Sequence, residues 1–299
     1  MSETVPEALA SYREQVEAAL ERYLPLDPGE GPEEVIRAMR HSVFAGGKRI
    51  RPILALAAHE AAGGDGAGMD AAAAAIEMIH TYSLIHDDLP CMDDDDLRRG
   101  RPTCHVAFGE ATALLAGDAL LTRGLSLLAR AEPIPAERRL RMVDEVGRAI
   151  DNGGMIGGQA LDLLAEKEPV RERSALVRIH RMKTGALLSV SAAAGAIAAG
   201  APEEATARLR DYGDAFGLAF QIVDDILDVT AGAERMGKRT GKDAERGKAT
   251  FPGLIGLEES AAEARRLVRR ATDALPFDTE ARLLARTAQY VVDRLGGDC

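Results

Sequence analysis

FQIVDDILD, residues Phe220 to Asp228, is the stretch from which the fold can be read. Phe220, Ile222, Val223, Ile226 and Leu227 are apolar, while Asp224 and Asp228 stand at i and i+4 on one helix face, with Gln221 one turn earlier on the same face. Carboxylates on an otherwise apolar helix are costly unless a cation holds them. A solvated charge pair would have polar neighbours, and these residues do not. A second acidic run, Asp87-Asp88 followed by Asp93, closes another largely apolar stretch, HTYSLIHDD. Two acidic helix ends in one helical domain can face a common cavity.

The rest of the chain agrees with an all-α fold. Its 299 residues, 46% of them hydrophobic, suffice for a buried core and exclude disorder of the whole chain. Aromatics make up 4%, with no Trp, whereas the strong helix formers Ala, Leu, Glu and Arg abound. Helical periodicity runs through a first segment between Pro6 and Pro25, then through about Glu33–Phe44, Ile50–Ala62, Met69–Ile85, Ala111–Ala129, Ala136–Asp151, Arg173–Gly200, Glu203–Val229, Leu257–Leu275 and Thr279–Leu295. No alternating strand pattern of any length is found. No Pro/Ser linker or shift in composition divides the chain, so a single domain over residues 1–299 is expected.

A net charge of -11 argues against a nucleic-acid partner, which demands a broad basic surface. An anionic ligand must therefore be held by local basic groups or by metal. Cys91, Cys104 and Cys299 form no CxxC pair, so neither a disulfide framework nor a zinc site is suggested, and a reducing cytoplasm fits. MSETVPEALASYREQ has neither the basic region nor the apolar core of a signal peptide. GALLSVSAAAGAIAAGAP, Gly185 to Pro202, is rich in small residues and short of the ~20 strongly apolar residues that span a bilayer; it reads as a buried central helix, without stable membrane insertion.

Asp87, Asp88 and Asp93 have the form DDxxxxD with Pro90 inside. Proline removes a helical hydrogen bond and bends the chain, so the insert can bulge out and still return Asp93 towards Asp87. Oxygen-only donors suit a hard cation, and magnesium takes one or two carboxylates and completes its shell with water and phosphate oxygens. DDDDLRRGRPTC lacks the Gly at position six and the Glu at twelve of a calcium-binding EF-hand loop. An HD-type phosphohydrolase, suggested by His86-Asp87, would leave the following arginines unexplained. Those arginines, Arg98 and Arg99, join Lys48, Arg49 and Arg51 of GGKRIRP and Lys238, Lys242 and Lys248 of a Gly-rich stretch. Each group alone reads as a solvated patch. Beside two aspartate clusters they suggest two anionic groups, one gripped through metal and one directly by Lys and Arg. His80 lies two helical turns before Asp87, on nearly the same face.

GGKRIRP (Gly46 to Pro52), HTYSLIHDDLPCMDDDDLRRGRPTCH (His80 to His105), GDALL (Gly117 to Leu121), GGQALDL (Gly157 to Leu163), KTGAL (Lys183 to Leu187), FQIVDDILD and GKRTGKDAERGKATFP (Gly237 to Pro252) occur in that order. Together they resemble the trans-isoprenyl diphosphate synthase, or head-to-tail polyprenyl synthetase, family, over about two-thirds of the chain. Phe251 stands where Tyr is common. The resemblance implies a single-domain bundle of antiparallel helices around a deep central cavity, assembled as a homodimer. It implies that Asp87, Asp93 and Asp224 hold magnesium, three ions with substrate bound, on an allylic diphosphate, with Asp88, Asp225 and Asp228 as supporting or additional ligands. Lys48, Arg51, His80 and Arg99 would bind isopentenyl diphosphate; Arg98, Lys183, Lys238 and Lys248 would contact the allylic diphosphate; Thr184 and Gln221 would line the reacting centre with Lys183 and Arg98.

Such a reaction needs no protein nucleophile. Breaking the allylic carbon–oxygen bond creates a carbocation and a charged leaving group, so cations must stabilise the diphosphate while an apolar cavity shields the carbocation. By the same resemblance Tyr82 and Ser83 set product length. A bulky Tyr82 with the Pro90-Cys91 insert is similar to bacterial farnesyl diphosphate synthases; a geranylgeranyl synthase of the same family remains open, since a helical wheel does not place Tyr82 in the cavity. A non-catalytic subunit of this fold would have lost an aspartate cluster, and a terpene cyclase has no use for a second diphosphate pocket.

Overall fold

The computed structural model describes residues 5–26, 31–168, 170–234, 249–276 and 282–296. Among these the chain is helical almost throughout: α1 (Val5–Tyr23), α2 (Glu33–Val43), α3 (Ile50–Ala61), α4 (Met69–Asp87), α5 (Cys104–Phe108), α6 (Glu110–Ala129), α7 (Ala136–Ile150), α8 (Met155–Lys167), α9 (Arg173–His180), α10 (Ala186–Ala199), α11 (Glu203–Glu234), α12 (Phe251–Ile255), α13 (Leu257–Ala274) and α14 (Arg282–Asp293). A π-helical turn, Arg181–Gly185, joins α9 to α10, and a 3₁₀ turn, Arg294–Gly296, follows α14. The one strand pair among the described residues, Leu97–Arg98 with Arg101–Pro102, turns through Arg99 and Gly100, both at positive φ. It is too short to carry an alternating pattern.

α10 is the hub. Its residues Leu187 to Ala198 are buried on every side, as the run of small residues leads one to expect. It packs on α3, α7 and α11, and Gly195 makes the closest approach: a Cβ there would stand 2.1 Å from the Ala55 carbonyl oxygen of α3. α10 and α11 are joined only by Gly200, Ala201 and Pro202, which forces them antiparallel. One apolar cluster gathers α1 to α4, α6 and α7; a second gathers α11, α13 and α14; α3 and α10 contribute to both. On α11 the rings of Tyr212, Phe216 and Phe220 follow one another at centroid spacings of 5.8 and 6.2 Å, carrying the core up to the level of Gln221 and Asp224.

Three helices, α5, α8 and α12, escape the sequence reading. α8 begins directly after Asn152-Gly153-Gly154 and contains Gly157 and Gly158, and no helical segment is outlined by periodicity over these residues. Those glycines are present because nothing larger fits. A Cβ on Gly157 would stand 1.8 Å from the Asn152 carbonyl oxygen, and one on Gly158 would stand 2.2 Å from the Lys183 amide nitrogen. α5 and α12, five residues each, are too short to show periodicity. By length and composition the α6 segment Glu110–Ala129 and the α9–α10 segment Arg173–Ala199 could cross a membrane; the latter is 67% buried within the fold, the former only 39%.

Candidate active site

α4 ends at Asp87, where the helix dipole offers its negative end and a carboxylate is unwelcome. The chain then makes the expected bulge. The Asp93 amide donates to the Asp87 carbonyl oxygen at 2.8 Å, so Pro90 and Cys91 loop out into solvent and Asp93 returns beside Asp87. Burial pushes the Asp87 carboxyl up, against the pull of Lys183 and with the added repulsion of Asp93 and Asp88, to about 6.

Asp88 is placed differently. It is buried, and the Arg98 guanidinium donates to both of its oxygens at 2.8 Å from Nε and 2.5 Å from Nη2. Asp88, expected as a supporting metal ligand, is thus committed to a protein cation that was itself expected on the diphosphate. Asp225 repeats this arrangement. It is buried, its Oδ2 lies 3.2 Å from His180 Nε2 and accepts the Phe251 amide at 3.0 Å, and its Oδ1 accepts from Gln221 at 3.3 Å. In each cluster the second aspartate therefore anchors the first. Asp225 also ties α11 to Phe251, two residues after the described chain resumes at residue 249; Lys238 and Lys248 lie outside the described residues. Asp228 is exposed one turn beyond Asp224.

Asp224 sits between two cations, Arg294 at 3.2 Å and Lys48 at 3.8 Å. Lys48 also rests over the Phe220 ring, 4.9 Å from its centroid. Beyond it the GGKRIRP stretch divides its charges. Arg49, left-handed at φ 52°, turns into the core and pairs with buried Glu77 at 2.6 Å and with Glu17 at 2.9 Å. Arg51 turns the other way and donates to His80 Nε2 at 3.3 Å, which leaves the proton of His80 on Nδ1. Burial, with Arg51, Arg99 and Arg98 nearby, holds His80 well below its ordinary value, so the ring is neutral. Burial also lowers Arg51, to about 10. The Arg99 guanidinium lies against Gly47, where a Cβ would stand 2.5 Å from Nη1 and the backbone is at φ 137°. The result is an electropositive recess of Lys48, Arg51, Arg99 and a neutral His80 with Nδ1–H still to donate.

From this recess a cavity of about 330 Å³ runs down between α4 and α8, a size suited to a small-molecule ligand. Asp87, Lys183 and Thr184 line it along with Arg51 and His80, and Tyr82, Ser83, Met155, Ile156 and Leu163 continue the wall. The wheel left Tyr82 undecided; the structure places it on the cavity. Lys183 Nζ donates to Asp162 at 2.6 Å, and the Thr184 hydroxyl donates to Gln221 Oε1 at 3.0 Å. Asp162, His180 and Arg294 were not singled out in the sequence. Asp162 lies within GGQALDL, whereas Arg294 is one of many arginines on an amphipathic helix end.

No group of three or more His, Cys, Asp or Glu is pre-assembled for a metal among the described residues. The donor set nonetheless fits magnesium shared with a phosphate ligand. It is oxygen only, it is split between two helices, and the raised Asp87 carboxyl marks negative charge that the protein does not neutralise.

A family model described as polyprenyl synthetase matches residues 32–283. The chain is 46% identical over 298 residues to the farnesyl diphosphate synthase of Escherichia coli (strain K12), covering 97% of this chain and 98% of that protein. It is also 46% identical over 289 residues to geranylgeranyl pyrophosphate synthase 11, chloroplastic, of Arabidopsis thaliana, covering 94% and 80%. Among solved structures, the apo FPP/GFPP synthase of Zymomonas mobilis superposes with a TM-score of 0.86 at 37% identity, covering 96% of this chain and 98% of that one.

Proposed function

Since the chain belongs to the polyprenyl synthetase family, whose reaction is head-to-tail prenyl transfer, we propose that it condenses isopentenyl diphosphate with dimethylallyl or geranyl diphosphate and stops at (E,E)-farnesyl diphosphate. The similarity of the relatives does not decide product length, because synthases named for fifteen- and twenty-carbon products match equally well. Tyr82 supports fifteen. It is buried, it lines the cavity, and its ring meets His86 edge-on at 5.7 Å. His86 in turn lies 3.0 Å from the Leu114 carbonyl oxygen of α6, so the floor is braced from behind and does not yield to a longer chain. Replacing Tyr82 by Ala should move the main product from fifteen carbons to twenty or more while turnover persists. Chromatography of the dephosphorylated alcohols formed from labelled isopentenyl diphosphate checks this. Farnesol from both proteins would sink the role of Tyr82, and geranylgeraniol from the wild type would favour the longer-chain reading.

The division of labour follows from the charges. Lys48, Arg51, Arg99 and the Nδ1–H of His80 hold the isopentenyl diphosphate, which keeps its diphosphate throughout. Lys183 releases Asp162 to grip the allylic diphosphate that leaves, with Lys238 and Lys248 as further cations, while Arg98 stays on Asp88 and adds positive charge from there. Asp87, Asp93 and Asp224 would hold magnesium, which when bound supplies electrostatic stabilisation of the departing diphosphate. Thr184 and Gln221, locked to each other, orient oxygens at the reacting carbon. The apolar wall excludes water until the double bond attacks.

A homodimer is supported by α6, whose Leu114 and Leu115 are exposed beside Val106 of α5. An apolar face of this kind calls for a partner surface. Changing Leu114 and Leu115 together to Asp should halve the mass found by sedimentation; an unchanged mass would place the interface elsewhere. Free Cys91 and Cys104 are in keeping with a reducing, cytoplasmic setting.

A further inference from the structure

Gln159 lies in the wall of the cavity with Asp87, Lys183 and Thr184. Its residue is 8% exposed, and neither Oε1 nor Nε2 has a hydrogen-bond partner. A primary amide carries two donors and a two-lone-pair acceptor, and folded interiors rarely leave all of them unmet. The side chain nevertheless stands on a rigid support. Gly158 presses α8 onto the backbone of Lys183, and Asp162, one turn further along α8, is the ion partner of Lys183 at 2.6 Å. The other amide of the site, Gln221, is already engaged at both ends, by Thr184 and Asp225. Met155, Ile156, Ala160 and Leu163, the neighbours of Gln159 along the cavity, offer it no polar partner.

We propose that Gln159 is a further catalytic residue, its amide oxygen turned to the allylic carbons as they become positively charged. The proposal rests on prenyl transfer taking place in this cavity. When the allylic carbon–oxygen bond breaks, its electron pair leaves with the diphosphate, and the positive charge is shared by the two ends of the allyl fragment. The π pair of the isopentenyl double bond then forms the new carbon–carbon bond, and the proton lost from the isopentenyl unit goes to the departing diphosphate. A neutral amide is suited to the interval between. A carboxylate at this place would be a strong anionic nucleophile towards the cation, and an apolar side chain would offer it no dipole. Because no protein group fixes the amide, the charge of the bound species orients it.

The test uses Gln159→Leu and Gln159→Met in the full chain, with geranyl diphosphate, isopentenyl diphosphate and magnesium. The thiolo analogue of geranyl diphosphate, which ionises far more slowly, reports ground-state binding and at the same time the integrity of the folded site. For both variants kcat should fall about 10- to 100-fold, the range in which single oriented dipoles act, while the analogue's Kd shifts by less than about threefold. A kcat retained within about threefold overturns the proposal, as does an equal loss in analogue binding, or a change of product length with kcat intact. Absence of turnover in the wild type would instead overturn the reading of the site as a prenyl transferase, before any variant is compared.

Discussion

Replacement of Asp87 by Asn is expected to lower kcat by about 10³-fold or more, equivalent to about 4 kcal/mol of transition-state stabilisation, and to make the ligand-free protein more stable. The first effect follows from the place of Asp87 at the end of α4, with Asp93 folded back beside it and Lys183 across the cavity. Removing its charge removes the hold on the cation that neutralises the leaving diphosphate. The second effect has the same origin. Burial raises the Asp87 carboxyl from 3.8 to about 6 against the pull of Lys183, so the folded chain binds this proton more tightly than the unfolded one. The resulting contribution is fully present below about pH 4 and is lost as pH rises through about 6, a deficit on the order of 2–3 kcal/mol at neutral pH. Asn carries no such deficit. In thermal melts without magnesium, the variant should therefore melt higher than wild type at pH 7 to 8, with the gap closing towards pH 4. Equal melting temperatures at pH 8, or a kcat near that of wild type, would refute the assignment.

Glu77→Ala should be the most damaging single change away from the reacting atoms. Glu77 and Arg49 are both buried at 2.6 Å, and Arg49 also donates to the Val43 carbonyl oxygen and to Glu17. Removing one member of a buried pair strands the other charge, at about 3–5 kcal/mol, or roughly a 6–10 °C fall in melting temperature for a chain of this size. The change also bears on function. Arg49 anchors the left-handed turn that sends Lys48 and Arg51 into the electropositive recess, so KM for isopentenyl diphosphate should rise more than KM for the allylic substrate. Calorimetry and a kinetic comparison of the two substrates test this, and Glu77→Gln, which keeps the hydrogen bond, should lose less. If the alanine variant melts within about 2 °C of wild type, the pair contributes little and the anchor lies elsewhere.

The fold was legible where side chains repeat. α2, α3, α6, α7 and α11 lie close to the segments that periodicity outlines, and Val16, Ala19 and Leu20 of α1 are buried as that face predicts. It was illegible where backbones touch. α8 has no outline in the periodicity, because a sequence shows the low helix propensity of Gly157 and Gly158 and conceals the Asn152 and Lys183 backbones that require them. The site divides the same way. Charged residues in a run announce themselves, so the two aspartate clusters and GGKRIRP could be found. Their internal division could not, because Asp87 and Asp88 differ only in whether Arg98 reaches them, and Lys48, Arg49 and Arg51 differ only in which way a left-handed residue sends each chain. Gln159 lies within GGQALDL, but its want of a partner depends on residues distant in sequence, as do the partners of His180 and Arg294, and no local pattern shows these.

The π-helical turn between α9 and α10 gives one continuous rod two rotational settings. Each α-helical residue advances the side-chain direction by about 100°, so a turn that accommodates one residue more than its neighbours shifts the phase of everything after it relative to everything before. Ahead of the turn, His180 is set by Asp225 and Phe251; after it, Leu187 to Ala198 are set by α3 and α11. Lys183 and Thr184 sit at the mismatch itself. The interior can thus be repacked along α10 without rotating the reacting end, and a residue lost from Arg181–Gly185 would do what no point substitution can, bringing the two halves into step and turning Lys183 away from its cavity.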